Sequence, residues 1–132
     1  MSPSQVDEAL EAMRGLFPET PLQLNEHLSA RYGANVYLKR EDLTPVRSYK
    51  IRGAYNMISQ LSEEEKKRGV VAASAGNHAQ GVALAAQKLG IKATIYMPVG
   101  ASLPKYQATL GYGANVVLSG AIFDETLVAA KE

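Results

Sequence analysis

The stretch VVAASAGNHAQGVALAAQKLGIKATIYMP, residues 70–98, decides the fold. Val70–Ala73 is short and apolar, as strands buried within a sheet are. Small residues at 74–76 lead into a predicted helix over Asn77–Leu89. Gly90 closes that helix, since glycine enters the left-handed conformation without steric penalty. Ala93–Met97 is again short and apolar. Strand, helix and strand in this order form a βαβ unit, with parallel strands and a right-handed crossover.

The same pattern repeats on either side. LSARYGANVYLKR carries its glycine at Gly33, EEEKKRGVVAAS at Gly69, and QATLGYGANVVLSG at Gly111 and Gly113. Further strands are predicted over Val36–Leu38 and Asn115–Leu118. Helices are predicted over Ser48–Leu61, Leu103–Leu110 and Phe123–Ala130. The fold class is therefore α/β, an open parallel sheet with flanking helices. The first thirty or so residues read differently. Helices over Gln5–Arg14 and Leu22–Tyr32 flank FPETP, where Pro18 and Pro21 interrupt any continuous helix. That segment carries helix without a strand, and so is expected to pack against something else.

A chain of 132 residues with 46% hydrophobic content has the size of a single domain. The formal net charge of +1 gives no reason to expect nucleic acid or an anionic membrane as partner. No apolar run approaches a membrane span, and the start of the chain lacks a secretory-signal pattern. Cysteine is absent, which excludes disulfides, thiolate nucleophiles and thiolate metal sites. His27 and His78 lie too far apart for metal-ligand spacing, so no metal is expected. No serine has histidine and carboxylate partners nearby, so a hydrolase triad finds no support.

Two stretches remain that could carry chemistry. In TPVRSYKIRGAYN, residues 44–56, Lys50 lies between Tyr49 and Ile51 at the start of a half-buried helix. With Ser48 as N-cap, burial and the positive end of the helix dipole both favour the neutral amine. A neutral amine condenses with aldehydes. The competing reading is a lysine that buries its methylenes and keeps its ammonium in water. In the second stretch, Ser74, Ala75 and Gly76 let a ligand approach the backbone, and the helix opening at Asn77 and His78 offers free N–H groups to an anion. The competing reading there is a capping turn, with Asn77 as N-cap and His78 simply exposed. The charge run Lys39–Asp42 reads as a solvated loop.

Taken together, YLKREDLTPVRSYKIRGAYN, AASAGNHAQGVA and ATIYMPVGASLPKYQATLGYGANVVLSGAIFDET resemble the pyridoxal-phosphate enzymes of the tryptophan-synthase-β class, fold type II. Within that class they are similar to the threonine dehydratases, or threonine ammonia-lyases. The resemblance runs from about TPLQLNEHL onward. It implies that Lys50 holds pyridoxal 5'-phosphate covalently and then acts as base at the substrate Cα. It implies that Asn77 bonds the cofactor's phenolic oxygen, and that Tyr49 stands where relatives carry phenylalanine. Ser74, the backbone of Ala75 and Gly76, Asn77 and His78 would grip the carboxylate of a small amino-acid substrate.

Serine racemases carry a second serine at position 75, and alanine there favours elimination over racemisation. The implied reaction is deamination of L-threonine, or L-serine, to 2-oxobutanoate, or pyruvate, and ammonia, a step that serves isoleucine biosynthesis. Residues 1–54 would belong to an incomplete large cofactor-binding domain and 55–132 to the small α/β domain. The phosphate-cradling glycine loop and the residue facing the pyridine nitrogen find no match, so the chain is expected to be the amino-terminal part of a longer enzyme and to be inactive by itself. A cytoplasmic homo-oligomer is expected. The alternatives are a non-catalytic fragment that folds or self-associates, or another β-eliminating or β-replacing enzyme of the same fold.

Overall fold

The computed structural model describes residues 2–132. Its centre is a three-stranded parallel sheet of β3 (Val70–Ala73), β4 (Ala93–Met97) and β5 (Asn115–Leu118), in that order. Val70 pairs with Ala93, and Thr94 with Asn115. The central β4 alternates buried and half-buried residues, with Ala93, Ile95 and Met97 turned to the core. α5 (Asn77–Leu89) is buried along its length from Ala79 to Ala86, as an inner helix must be if it is covered on several sides. It ends at Gly90, whose φ of 67° is the left-handed conformation expected there. α6 (Leu103–Gly111) and α7 (Phe123–Ala129) complete the βα repeats.

Ahead of the sheet, α3 (Lys50–Ser59) buries Ile51, Ala54 and Ile58 against α5, the most extensive contact between any two elements. α4 (Glu63–Arg68) is short and buries no residue, and local terms account for it. Ser62 and Glu65 form a reciprocal capping box, three glutamates fill its first turn, and Lys66, Lys67 and Arg68 fill its last.

The amino-terminal segment departs from expectation. α1 (Pro3–Ala12) is helical and begins with a capping box from Ser2 and Gln5. Leu22–Leu24, expected to be helical, is instead strand β1, paired antiparallel with β2 (Tyr37–Lys39). The helix α2 (Glu26–Tyr32) starts only after Asn25, whose side chain accepts from the Leu28 amide at 2.8 Å. The cap at Asn25, together with a partner strand fifteen residues away, overrides the local pattern. Among the described residues no helix is long and apolar enough to cross a membrane.

Candidate active site

Lys50 is the first residue of α3, and the turn before it is held from three directions. The Thr44 hydroxyl donates to the Ser48 carbonyl at 2.8 Å and accepts from the Ser48 amide at 3.1 Å. Val46 beside it is fully buried. The Tyr112 hydroxyl donates to the Pro45 carbonyl at 3.1 Å. Arg47 sits at φ 57°, a conformation that a residue with a side chain holds only where its surroundings impose it. Ser48 is not the N-cap that the sequence suggested. Tyr49 occupies that position, and the Ser48 hydroxyl only meets the Lys50 amide at a long 3.4 Å. Ser48 is engaged instead with Thr44. Lys50 is half-buried rather than buried, with its ammonium 5.1 Å from the centre of the exposed Tyr49 ring.

At the carboxyl end of β3 the turn 74–76 enters α5. The buried Ser74 hydroxyl accepts from the Gly76 amide at 3.2 Å and the Ala79 amide at 3.0 Å. Ser74 thus does the capping expected of Asn77. Gly76 holds the cap position with an extended φ of 177°, and Asn77 is the first helical residue. The amides of Asn77 and His78 find no acceptor among the described residues. Free donors at a helix start are what an anion requires. Ala75, Asn77 and His78 are exposed. Partial desolvation of the ring and then the nearby Lys50 ammonium hold the His78 imidazole below its ordinary value. The Lys50 backbone lies against Gly81 of α5, so Lys50 and the head of α5 share one neighbourhood. Replacing Ser74 with alanine would strand two amides at once and is expected to destabilise the chain by about 1–2 kcal/mol, read from the urea midpoint.

Two further features had no local signal. Lys105, in the first turn of α6, lies across Gly76: a methyl added there would stand 2.5 Å from Lys105 Cδ and 2.8 Å from its Nζ. A second cation thus covers the turn whose amides are free. The charge run at Lys39–Asp42 is also not wholly a solvated loop. Arg40 and Asp42 do pair near the surface. Glu41, however, takes a two-pronged contact from Arg52, at 2.8 Å on each oxygen. Thr20 joins both, donating to Glu41 at 2.6 Å and accepting from Arg52 at 3.0 Å. The Arg52 guanidinium also lies 5.2 Å from the Phe17 ring centre. The Arg52 hydrogen bond holds the Glu41 carboxyl below its ordinary range, against the opposing effect of burial.

A half-buried primary amine beside unpaired amides and a second cation, Lys105, suits a group that carries an aldehyde and acidic oxygens. Similarity to known proteins agrees with that donor set. A sequence profile described as "Pyridoxal-phosphate dependent enzyme" matches residues 13–132. The chain belongs to this family. The cofactor on which the family depends is pyridoxal phosphate. The chain is 50% identical to L-threonine dehydratase biosynthetic IlvA of Staphylococcus epidermidis over 98% of its own length and 32% of that protein. The Staphylococcus aureus protein of the same name is also 50% identical. Among solved structures, threonine deaminase isoform 2 from Solanum lycopersicum superposes with a TM-score of 0.83 at 46% identity, over 99% of this chain and 40% of that one. Maize serine racemase superposes with a TM-score of 0.91 at 33% identity, over 97% and 39%. The chain spans about a third of the length of the curated relatives it matches. These neighbours share the parallel sheet with flanking helices of fold type II. Among the described residues no cluster of side chains could hold a metal ion.

Proposed function

We propose that this chain carries the reactive lysine and the carboxylate-gripping turn of an enzyme that deaminates L-threonine, and L-serine, to 2-oxobutanoate, or pyruvate, and ammonia. The observation that carries the reading is that Lys50 lies against α5, whose opening amides at Asn77 and His78 are unpaired among the described residues. When bound, pyridoxal phosphate supplies an electron sink for the charge left at the substrate Cα. Lys50 would hold the cofactor through its amine, and the same amine is the group placed to take a proton from the substrate Cα. The free amides, the Ser74 hydroxyl and the field of Lys105 hold the substrate carboxylate. Asn77 would bond the cofactor's phenolic oxygen, and Tyr49 would offer an aromatic face beside the lysine. The residue at 75, alanine, has no proton to give or take on the far side.

The fold match to maize serine racemase favours a second reading, racemisation of serine. Ala75 weighs against it, because inversion needs a second acid. The division into residues 1–54 and 55–132, a cytoplasmic setting and self-association complete the proposal. Exposed Leu22, Leu24, Tyr37 and Leu43 around the β1–β2 ribbon support the last of these.

One experiment tests the reading. The purified chain is mixed with pyridoxal phosphate, reduced with borohydride and digested, and the modified lysines are located by mass spectrometry. Cofactor concentrated on Lys50 supports the proposal, whereas labelling spread evenly over the lysines overturns it. Samples given L-threonine or L-serine before reduction are assayed for 2-oxo acid and for D-serine, which separates deamination from racemisation. A sizing column run on the same material reads the oligomeric state.

A further inference from the structure

We infer that Gly81 sets the position of Lys50, because it is the point at which α5 meets the backbone of that residue. This inference rests on the reading of Lys50 as the reactive amine. A methyl added at Gly81 would stand 3.0 Å from the Lys50 carbonyl carbon and 3.1 Å from both the Lys50 carbonyl oxygen and the Ile51 amide nitrogen. These are backbone atoms at the start of a helix, so they cannot swing aside as a side-chain tip can. The Ile51 side chain is fully buried and holds α3 from within the core. Any methyl at 81 must therefore push the first turn of α3 away from α5.

Helix propensity alone argues against glycine at this place. Gly81 lies inside α5, where alanine would form helix better, and alanine fills most of the buried positions around it. A glycine kept in such a run needs a steric reason, and the Lys50 backbone supplies one. Asn77 stands one turn earlier on the same face of α5. The contact at Gly81 therefore also fixes how far along the helix Lys50 sits from Asn77 and the turn before it. Gly53 gives the contrast. It lies on α3, is exposed, and has open space where its methyl would be.

The test compares Gly81→Ala with Gly53→Ala, which gains the same helix propensity without the contact. The first readout needs no cofactor. The chain has two histidines, whose imidazole signals are followed individually by NMR, with Lys50→Met identifying His78 as the one that moves. Gly81→Ala is expected to raise the His78 midpoint, as Lys50 and its charge move off and the helix pair loosens. The second readout is the share of borohydride-trapped pyridoxal phosphate found on Lys50, expected to fall about fivefold. Gly53→Ala should change neither.

A folded Gly81→Ala chain with wild-type titration and wild-type trapping would overturn the inference and leave Gly81 a packing residue. Should Gly81→Ala fail to fold, it is rebuilt together with Gly53→Ala, and failure there also overturns the positioning role. If the wild-type chain itself shows no preference for Lys50, the proposed function fails, and the His78 titration alone then decides the role of Gly81.

Discussion

Replacing Lys50 with alanine is expected to abolish borohydride-stable attachment of pyridoxal phosphate at the head of α3. In a complete enzyme, loss of a nucleophile that nothing else can replace lowers turnover on the order of 10³-fold or more. Stability should barely change, by about 0.5 kcal/mol or less, because the side chain is half-buried and forms no ion pair within 4 Å among the described residues. Removing a cation from the positive end of α3 relieves a small unfavourable interaction as well. Lys50→Arg divides charge from chemistry. It keeps the positive charge near His78 yet cannot condense with an aldehyde, so trapping should vanish while the His78 titration stays close to wild type. In Lys50→Ala both should change, with the His78 midpoint rising toward its ordinary value. Trapping that persisted on another lysine in Lys50→Ala, at wild-type yield, would remove Lys50 from the proposal.

The parts of this molecule that were legible in its sequence are those whose causes are local. β3, α5 and β4 fall at the residues expected, because Gly90 closes the helix and the apolar runs on either side match the length of a strand. β5 was legible for the same reason, with α6 and α7 displaced by only one residue at their ends. β1 was not, since Leu22–Leu24 is a strand only by virtue of Tyr37–Lys39. Nor was the start of α3. The local reading gave Ser48 the cap, while the folded chain commits Ser48 to Thr44. The turn 74–78 shows both sides of this. Its small residues and helix start could be read directly, yet the exchange of capping from Asn77 to Ser74 depends on an amide five residues ahead. Lys105 over Gly76, Gly81 under Lys50, and Arg52 on Glu41 are all contacts between separate elements, and no window of sequence contains them.

Breaking the Glu41–Arg52 contact is expected to be the largest stability effect outside the core, and its sign with pH can be worked out. Arg52→Met leaves Glu41 partly buried with only Thr20 as partner, a loss of about 2 kcal/mol after allowing for solvent at side chains 32% and 20% exposed. Arg52→Lys should recover little, because an ammonium cannot present the two-pronged face that meets both Glu41 oxygens. In the folded chain the Glu41 carboxyl lies below its ordinary value, first through the Arg52 hydrogen bond. A depressed carboxyl stabilises the fold at pH above its unfolded value of about 4.3 and loses that contribution as pH falls through the folded value. Arg52 itself is shifted upward from an already high value and stays charged throughout that window.

The difference in stability between wild type and Arg52→Met should therefore be large at neutral pH and shrink on acidification. Taking the difference between the two chains cancels the exposed carboxyls of Glu11, Asp42 and Glu65, which also lie below their ordinary values. Denaturant midpoints measured for both chains from neutral pH into the acid range give this difference directly. A gap that does not change with pH would mean that Arg52 acts through its packing on Phe17 rather than through Glu41. The double variant Glu41→Gln with Arg52→Met supplies the coupling term, and if the ion pair matters it should be less damaged than the two single losses added together. Arg52 lies two residues beyond Lys50 and ties the first turn of α3 to the amino-terminal segment through Thr20 and Glu41. A weakened pair should therefore also loosen the seat of Lys50, and trapping of pyridoxal phosphate there should fall in Arg52→Met even at temperatures where the chain stays folded.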